Sequence, residues 1–163
     1  MKVIFLDIDG VLNCKQTPNP RNFPFIVDPA LLRRLNDLLE LTGAEVVLTS
    51  NWRYDPAGMF SARHYGIPFS DTTPDLQNEP RCNPILDWLR RHPDIERFIV
   101  IDDEDDELDN LPLFQPSRST GLTDEMARVA GDYLNGKTDR DMRRSKFIRI
   151  FQNLGSLVVG HKG

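Results

Sequence analysis

Along the chain, short unbroken apolar runs alternate with stretches in which hydrophobic residues recur every three or four positions. Residues 2–6, with Val3, Ile4, Phe5 and Leu6, predict a buried strand. Three prolines and little periodicity make Asn13 to Val27 a long loop. Asp28-Pro29 then offers a helix cap followed by proline at the first helical position. Leu31, Leu32, Leu35, Leu38 and Leu39 follow at helical spacing until Thr42-Gly43. Residues 45–49 predict a second buried strand, and a weak helix is expected around Ala57–His64. Asn83-Pro84 reads as another cap and start, with Ile85, Trp88 and Leu89 on one face and Pro93 beyond its end. Arg97 to Ile101 predicts a third strand and Leu113-Phe114 a short fourth. Thr123 caps a helix whose Met126, Val129, Ala130, Tyr133 and Leu134 share a face.

Strands alternating with helices predict an α/β fold in three layers, a doubly wound, mostly parallel sheet covered on both faces. In such sheets ligands bind beyond the carboxyl ends of the strands, here just after Leu6, Thr49 and Ile101. From Asn135 onward the composition turns basic. Phe147, Ile150, Phe151 and Leu154 form an apolar helical stripe there, and Leu157-Val158-Val159 suggests a small strand. Residues 1–134 are thus expected to form the main domain, with 135–163 a basic helical extension packed on it. A solvated helix face accounts for those charges as well as a nucleic-acid contact does.

The 163 residues suit one domain, and 39% hydrophobic with 28% charged residues excludes a disordered chain. A net charge of −5 argues against a protein that coats DNA. No apolar stretch approaches the ~18–20 residues of a membrane span. The Val3–Leu6 run is cut off by Asp7 and Asp9 too early for a signal-peptide core. Cys14 and Cys82 stand apart, which predicts neither a disulfide framework nor structural zinc, and a cytoplasmic location. His64, His92 and His161 show no ligand spacing.

Each expected strand tip carries polar groups. After the first, Asp7 and Asp9 leave an extended chain on the same side, and Gly10 lets the chain turn away. Two such carboxylates repel unless a proton or cation intervenes, and their oxygens suit magnesium. Alone, the same residues also fit an ordinary turn. After the second strand, Ser50 and Asn51 offer a hydroxyl and free backbone N–H groups to a phosphate oxygen, although a plain polar loop fits too. After the third, six acids run from Asp102 to Glu107. Most of such a run is solvated, but Asp102 and Asp103 leave directly from a buried strand and need compensation.

Acid pairs from two strand tips, a hydroxyl from another and a nearby base resemble the haloacid dehalogenase-like (HAD) hydrolase superfamily. Asp7, Asp9 and Val11 match its first motif, Ser50 its second, Arg81 its third and Asp102 with Asp103 its fourth, in order, over roughly residues 1–134. The phrases around Asp7–Asn13 and Ser50–Arg53 look like a capless subgroup that includes modules of nucleic-acid repair proteins. The resemblance implies a Rossmannoid fold without a large cap and an Mg2+-dependent phosphatase. It implies Asp7 as nucleophile and Asp9 as general acid and base. Asp7, the Asp9 carbonyl and Asp102 or Asp103 would hold the metal, with Asp106 anchoring the loop or Arg81. Ser50, Asn51 and Arg81 would hold the phosphate, with Arg53 the rival to Arg81, which replaces the commoner Lys. Trp52 and Arg53 are candidate substrate contacts, Trp52 fitting a core position better. The expected substrate is a phosphorylated small molecule or a nucleic-acid end, and the Pro-rich Thr17–Pro24 loop a small flap beside an open site. The rival readings are a non-catalytic module and a phosphoacceptor regulator.

Overall fold

The computed structural model describes residues 1–137 and the strand residues 148–149. Strands β1 (Lys2–Leu6), β2 (Glu45–Leu48), β3 (Phe69–Thr72), β4 (Arg97–Ile101), β5 (Leu113–Phe114) and β6 (Ile148–Arg149) form a sheet in the order β3-β2-β1-β4-β5-β6. The first five are parallel, and β6 runs antiparallel to β5 at the edge. Strand β1 pairs with β2 on one side, Leu6 opposite Leu48, and with β4 on the other, Leu6 opposite Ile101. The chain therefore reverses its winding direction at β1, and the carboxyl ends of β1, β2 and β4 finish level.

Alternation along the strands sends side chains to two separate apolar layers. Ile4, Leu6, Val46, Leu48, Ile99 and Ile101 pack in one cluster with Leu31, Leu35 and Leu38 of α1 (Pro29–Thr42), Ala62 of α2 (Pro56–His64) and Met126, Val129 and Leu134 of α4 (Asp124–Leu134). Val3, Phe5, Val47 and Val100 face the opposite way, onto Ile85 and Trp88 of α3 (Cys82–Arg91). These are the three layers of a doubly wound α/β domain, with α3 the one α-helix among the described residues that covers its face. No insertion among the described residues builds a separate cap.

Local chemistry explains most boundaries. The Asp28 carboxylate accepts the Ala30 N–H at 2.9 Å, Pro29 opens α1, and Gly43 at φ +66 closes it by donating to Leu39 O at 2.8 Å. Asp55 caps α2 in the same way, and Thr123 caps α4. Two expectations are corrected. Asn83 does not cap α3: the helix begins at Cys82, Arg81 occupies the cap position without a side-chain cap bond, and the Asn83 amide is turned to Glu79. Strand β3 was not expected, because Phe69-Ser70-Asp71-Thr72 has one apolar residue and a half-exposed pattern. It is held at the edge by backbone pairing to β2 across a register shift between Val46 and Val47.

Of the basic extension, residues 135–137 and the strand residues Ile148–Arg149 of β6 are described. The remaining expected helical stripe and the 157–159 strand lie outside the described residues. No helix among the described residues is long and apolar enough to cross a membrane.

Candidate active site

The level ends of β1, β2 and β4 bring their following residues together. The Asp7 N–H donates to Ile101 O at 2.9 Å, and the Thr49 N–H donates to Leu6 O at 2.8 Å, so the three tips are stitched beyond the strands themselves. Carboxylate oxygens of Asp7, Asp102 and Asp103 lie within 4.8 Å of one another. Asp7 is 3% exposed and Asp102 0%. Gly10 makes this approach possible. It sits at φ +74, and a Cβ there would stand 2.5 Å from Asp103 Cγ.

Arg81 enters from the start of α3. Its Nη1 lies 3.1 Å from Asp7 Oδ2 and also donates to Asp102 Oδ2. Asp106 fixes the approach by accepting the Arg81 backbone N–H at 3.2 Å. On the solvent side, Arg118 donates to Asp103 and Glu104. Nothing in the sequence around Arg118 marked it, since only the fold carries the loop after β5 back to the acidic run.

Asp9 lies apart from this cluster and is exposed. Its Oδ2 accepts the Trp52 indole N–H at 3.0 Å and its Oδ1 accepts from the Asn13 amide at 2.9 Å. Trp52, at 3% exposure, is a core aromatic rather than a face of the cleft, packed edge-on against Phe25. Ser50 is buried, with Oγ accepting the Trp52 backbone N–H at 3.3 Å, and the buried Thr49 Oγ1 has no partner among the described residues. Arg53 donates to the Thr49 and Ser50 carbonyls and lies over the Tyr54 ring at 4.1 Å. Asn51, Arg53, Tyr54 and Arg81 line an open cleft of about 780 Å³, together with Gln77, Asn78 and the acids Asp75, Glu79, Glu104 and Asp106. None of Thr17–Pro24 lines it.

A family model described as the HAD domain in Swiss Army Knife RNA repair proteins matches residues 3–127, well over half the chain. The chain belongs to this family. Comparison with curated proteins and with solved structures found no match. The match supports a HAD-type, phosphatase-like hydrolase module, and the strand-tip residues Asp7, Asp9, Ser50, Asp102 and Asp103 all fall inside it, as do Asn51 and Arg81.

In this HAD domain the burial of so many acids distorts their titration. Burial, and then the neighbouring Asp7 charge, push the Asp102 carboxyl up to about 7. Burial also raises Asp7, with Arg81 opposing it. Burial pulls the Arg81 guanidinium down, but the charges of Asp7 and Asp102 outweigh it and hold Arg81 above its ordinary value. Arg53 is lowered, chiefly by burial. Asp7 and Asp102 thus share the one inner guanidinium of Arg81 while Arg118 meets Asp103 from outside, a cluster of hard oxygen donors short of positive charge. That donor set fits a divalent cation of the magnesium kind, which the HAD family generally uses.

Proposed function

We propose that the chain is an Mg2+-dependent phosphatase that hydrolyses a phosphate monoester through an aspartyl-phosphate on Asp7. The observation that carries this reading is the convergence of Asp7, Asp102 and Asp103, two of them paired with Arg81, a residue that also lines an open cleft. An Asp7 oxygen attacks phosphorus in line, and the bond to the leaving oxygen breaks as Asp9 gives that oxygen its proton. Asp9 then takes a proton from the water that attacks the aspartyl-phosphate, releasing inorganic phosphate and regenerating the Asp7 carboxylate.

Asp7, Asp102, Asp103 and the Asp9 carbonyl oxygen would hold the metal. When bound, it supplies positive charge that offsets repulsion between the anionic ester and the carboxylates. Arg81, Ser50 and Asn51 bind the transferred group. Arg81 is favoured over Arg53 as the clamp because it already reaches Asp7, whereas Arg53 directs Nη1 to two backbone carbonyls and Nη2 to Tyr54. Residues 1–134 carry the reaction, with 135–163 an extension of the same domain.

A nucleotide or nucleic-acid end is the favoured substrate. The family description supports it, as does a cleft with an exposed tyrosine ring and the side-chain amides of Asn51, Gln77 and Asn78, groups suited to a base and its polar edge. The test is phosphate release from p-nitrophenyl phosphate, nucleoside monophosphates and end-phosphorylated oligonucleotides, with and without Mg2+. Release that requires Mg2+ and is lost in Asp7→Asn, with the fold intact by circular dichroism, is expected. Undiminished turnover by Asp7→Asn would remove the nucleophile. A stable acyl-phosphate that never turns over would favour a phosphoacceptor instead.

A further inference from the structure

Asp9 is the one carboxylate of the strand-tip group that stands in solvent, on the turn after β1, where an unsupported side chain would sample several rotamers. It is nevertheless gripped at both oxygens, by the Trp52 indole N–H at 3.0 Å and the Asn13 amide at 2.9 Å. Each of these donors is itself fixed. The Trp52 ring is buried against Phe25, with centroids 5.0 Å apart, and its backbone N–H is held on Ser50 Oγ. Asn13 accepts the Gly10 N–H at 3.0 Å and donates to Ile26 O at 2.9 Å. Both supports run into the end of the long loop, through Phe25 and Ile26.

We infer that Trp52 and Asn13 are positioning residues that set the plane of the Asp9 carboxylate for proton transfer to the leaving oxygen, and that the 13–27 loop is their buttress rather than a moving flap. This rests on the proposed role of Asp9 as general acid. A proton donor works only within hydrogen-bond reach and alignment of the oxygen it serves. With two donors on opposite oxygens, each carboxylate oxygen keeps a lone-pair direction for the proton it transfers, while rotation about the side chain is blocked.

The need for this alignment scales with the leaving group. An alkyl oxygen must be protonated as its bond to phosphorus breaks, whereas p-nitrophenolate leaves unaided. Trp52→Phe keeps an aromatic ring beside Phe25 and deletes the N–H, together with part of the buried indole. Asn13→Asp keeps the acceptor for Gly10 and replaces the donor facing Asp9 with a second carboxylate oxygen. With saturating Mg2+, each variant is expected to lose roughly tenfold or more in kcat/KM, which reports expulsion of the leaving oxygen before the shared hydrolysis step, on an alkyl phosphate such as glycerol phosphate, part of what a general acid contributes. The loss on p-nitrophenyl phosphate should be under about threefold, since that ester draws little on the same acid. In an Asp9→Asn background neither substitution should add further loss, because the carboxylate they align is gone.

If Trp52→Phe does not fold, Asn13→Asp carries the test alone. Equal losses on both esters, or losses that persist undiminished without the Asp9 carboxylate, would reduce Trp52 and Asn13 to packing and overturn the inference while leaving the phosphatase intact. If the unaltered protein released phosphate from neither ester, the proposed function would fall and this inference with it.

Discussion

At the scale of single residues, the site depends on Gly10 as much as on its carboxylates. The left-handed backbone at φ +74 already disfavours any side chain, and a Cβ would collide with Asp103 Cγ at 2.5 Å rather than with a flexible tip. Gly10→Ala is therefore expected to destabilise the fold by about 1–3 kcal/mol and to weaken Mg2+ binding by displacing Asp103. Urea denaturation measures the first effect and calorimetric titration with Mg2+ the second. An alanine variant with native stability and native affinity would show that Asp103 has room to retreat. The Asp7-x-Asp9 spacing was legible from sequence, but its division of labour was not. One carboxylate is buried with Asp102 and Asp103 and the other is turned outward to Trp52 and Asn13. Alternation in an extended chain places both on one side. The turn that begins at Ile8, whose carbonyl accepts the Val11 and Leu12 N–H groups, then separates them.

Among the elements, helix starts were readable where the cap is local and unreadable where it is tertiary. Asp28 bonds a backbone N–H two residues ahead, an interaction that sequence spacing alone specifies. At α3 the same Asn-Pro signature failed, because Asp106 from the acidic run takes the Arg81 backbone N–H and Glu79 takes the Asn83 amide. Asp28→Ala should accordingly cost about 1 kcal/mol or more, while Asn83→Ala should stay within about 0.5 kcal/mol. Thermal or chemical melts of the two variants decide this, and a larger loss from Asn83 would restore it as the cap. Strand β3 escaped the sequence for a related reason. An edge strand needs only backbone pairing on one side, so Phe69–Thr72 carries no apolar alternation to announce it.

For the molecule as a whole, the sheet topology sets a charge imbalance that ties stability to pH and to metal. Asp102 titrates near 3.8 when unfolded and near 7 in the fold without a cation, and Asp7 is shifted in the same direction. A carboxyl raised on folding contributes stability that is fully present below its unfolded value and lost as pH rises through its folded one. Metal-free protein should therefore lose stability between about pH 4 and pH 7, and Mg2+ should restore it at pH 8. Asp102→Asn removes its own part of that dependence and leaves the share of Asp7. In EDTA at pH 8 this variant should be at least as stable as the parent, because a buried carboxylate is gone while Arg81 keeps Asp7 and Asp106, yet gain little from Mg2+. Melting curves at pH 5 and pH 8 with EDTA or Mg2+ check this. A parent protein more stable at pH 8 than at pH 5 in EDTA would contradict the burial of these acids.

The sequence by itself determined β1, β2, β4 and β5, most helix starts, the parallel α/β class and which residues stand at strand tips. Those features rest on interactions within a few residues: apolar runs, alternation, caps and turns. Tertiary structure decided what the tips do together. Whether Arg81 or Arg53 meets the acids, whether Trp52 faces solvent or holds Asp9, and that Arg118 reaches Asp103 all depend on side chains brought together by the level ends of β1, β2 and β4. Pairing across the sheet sets those distances, and no spacing along the chain encodes them.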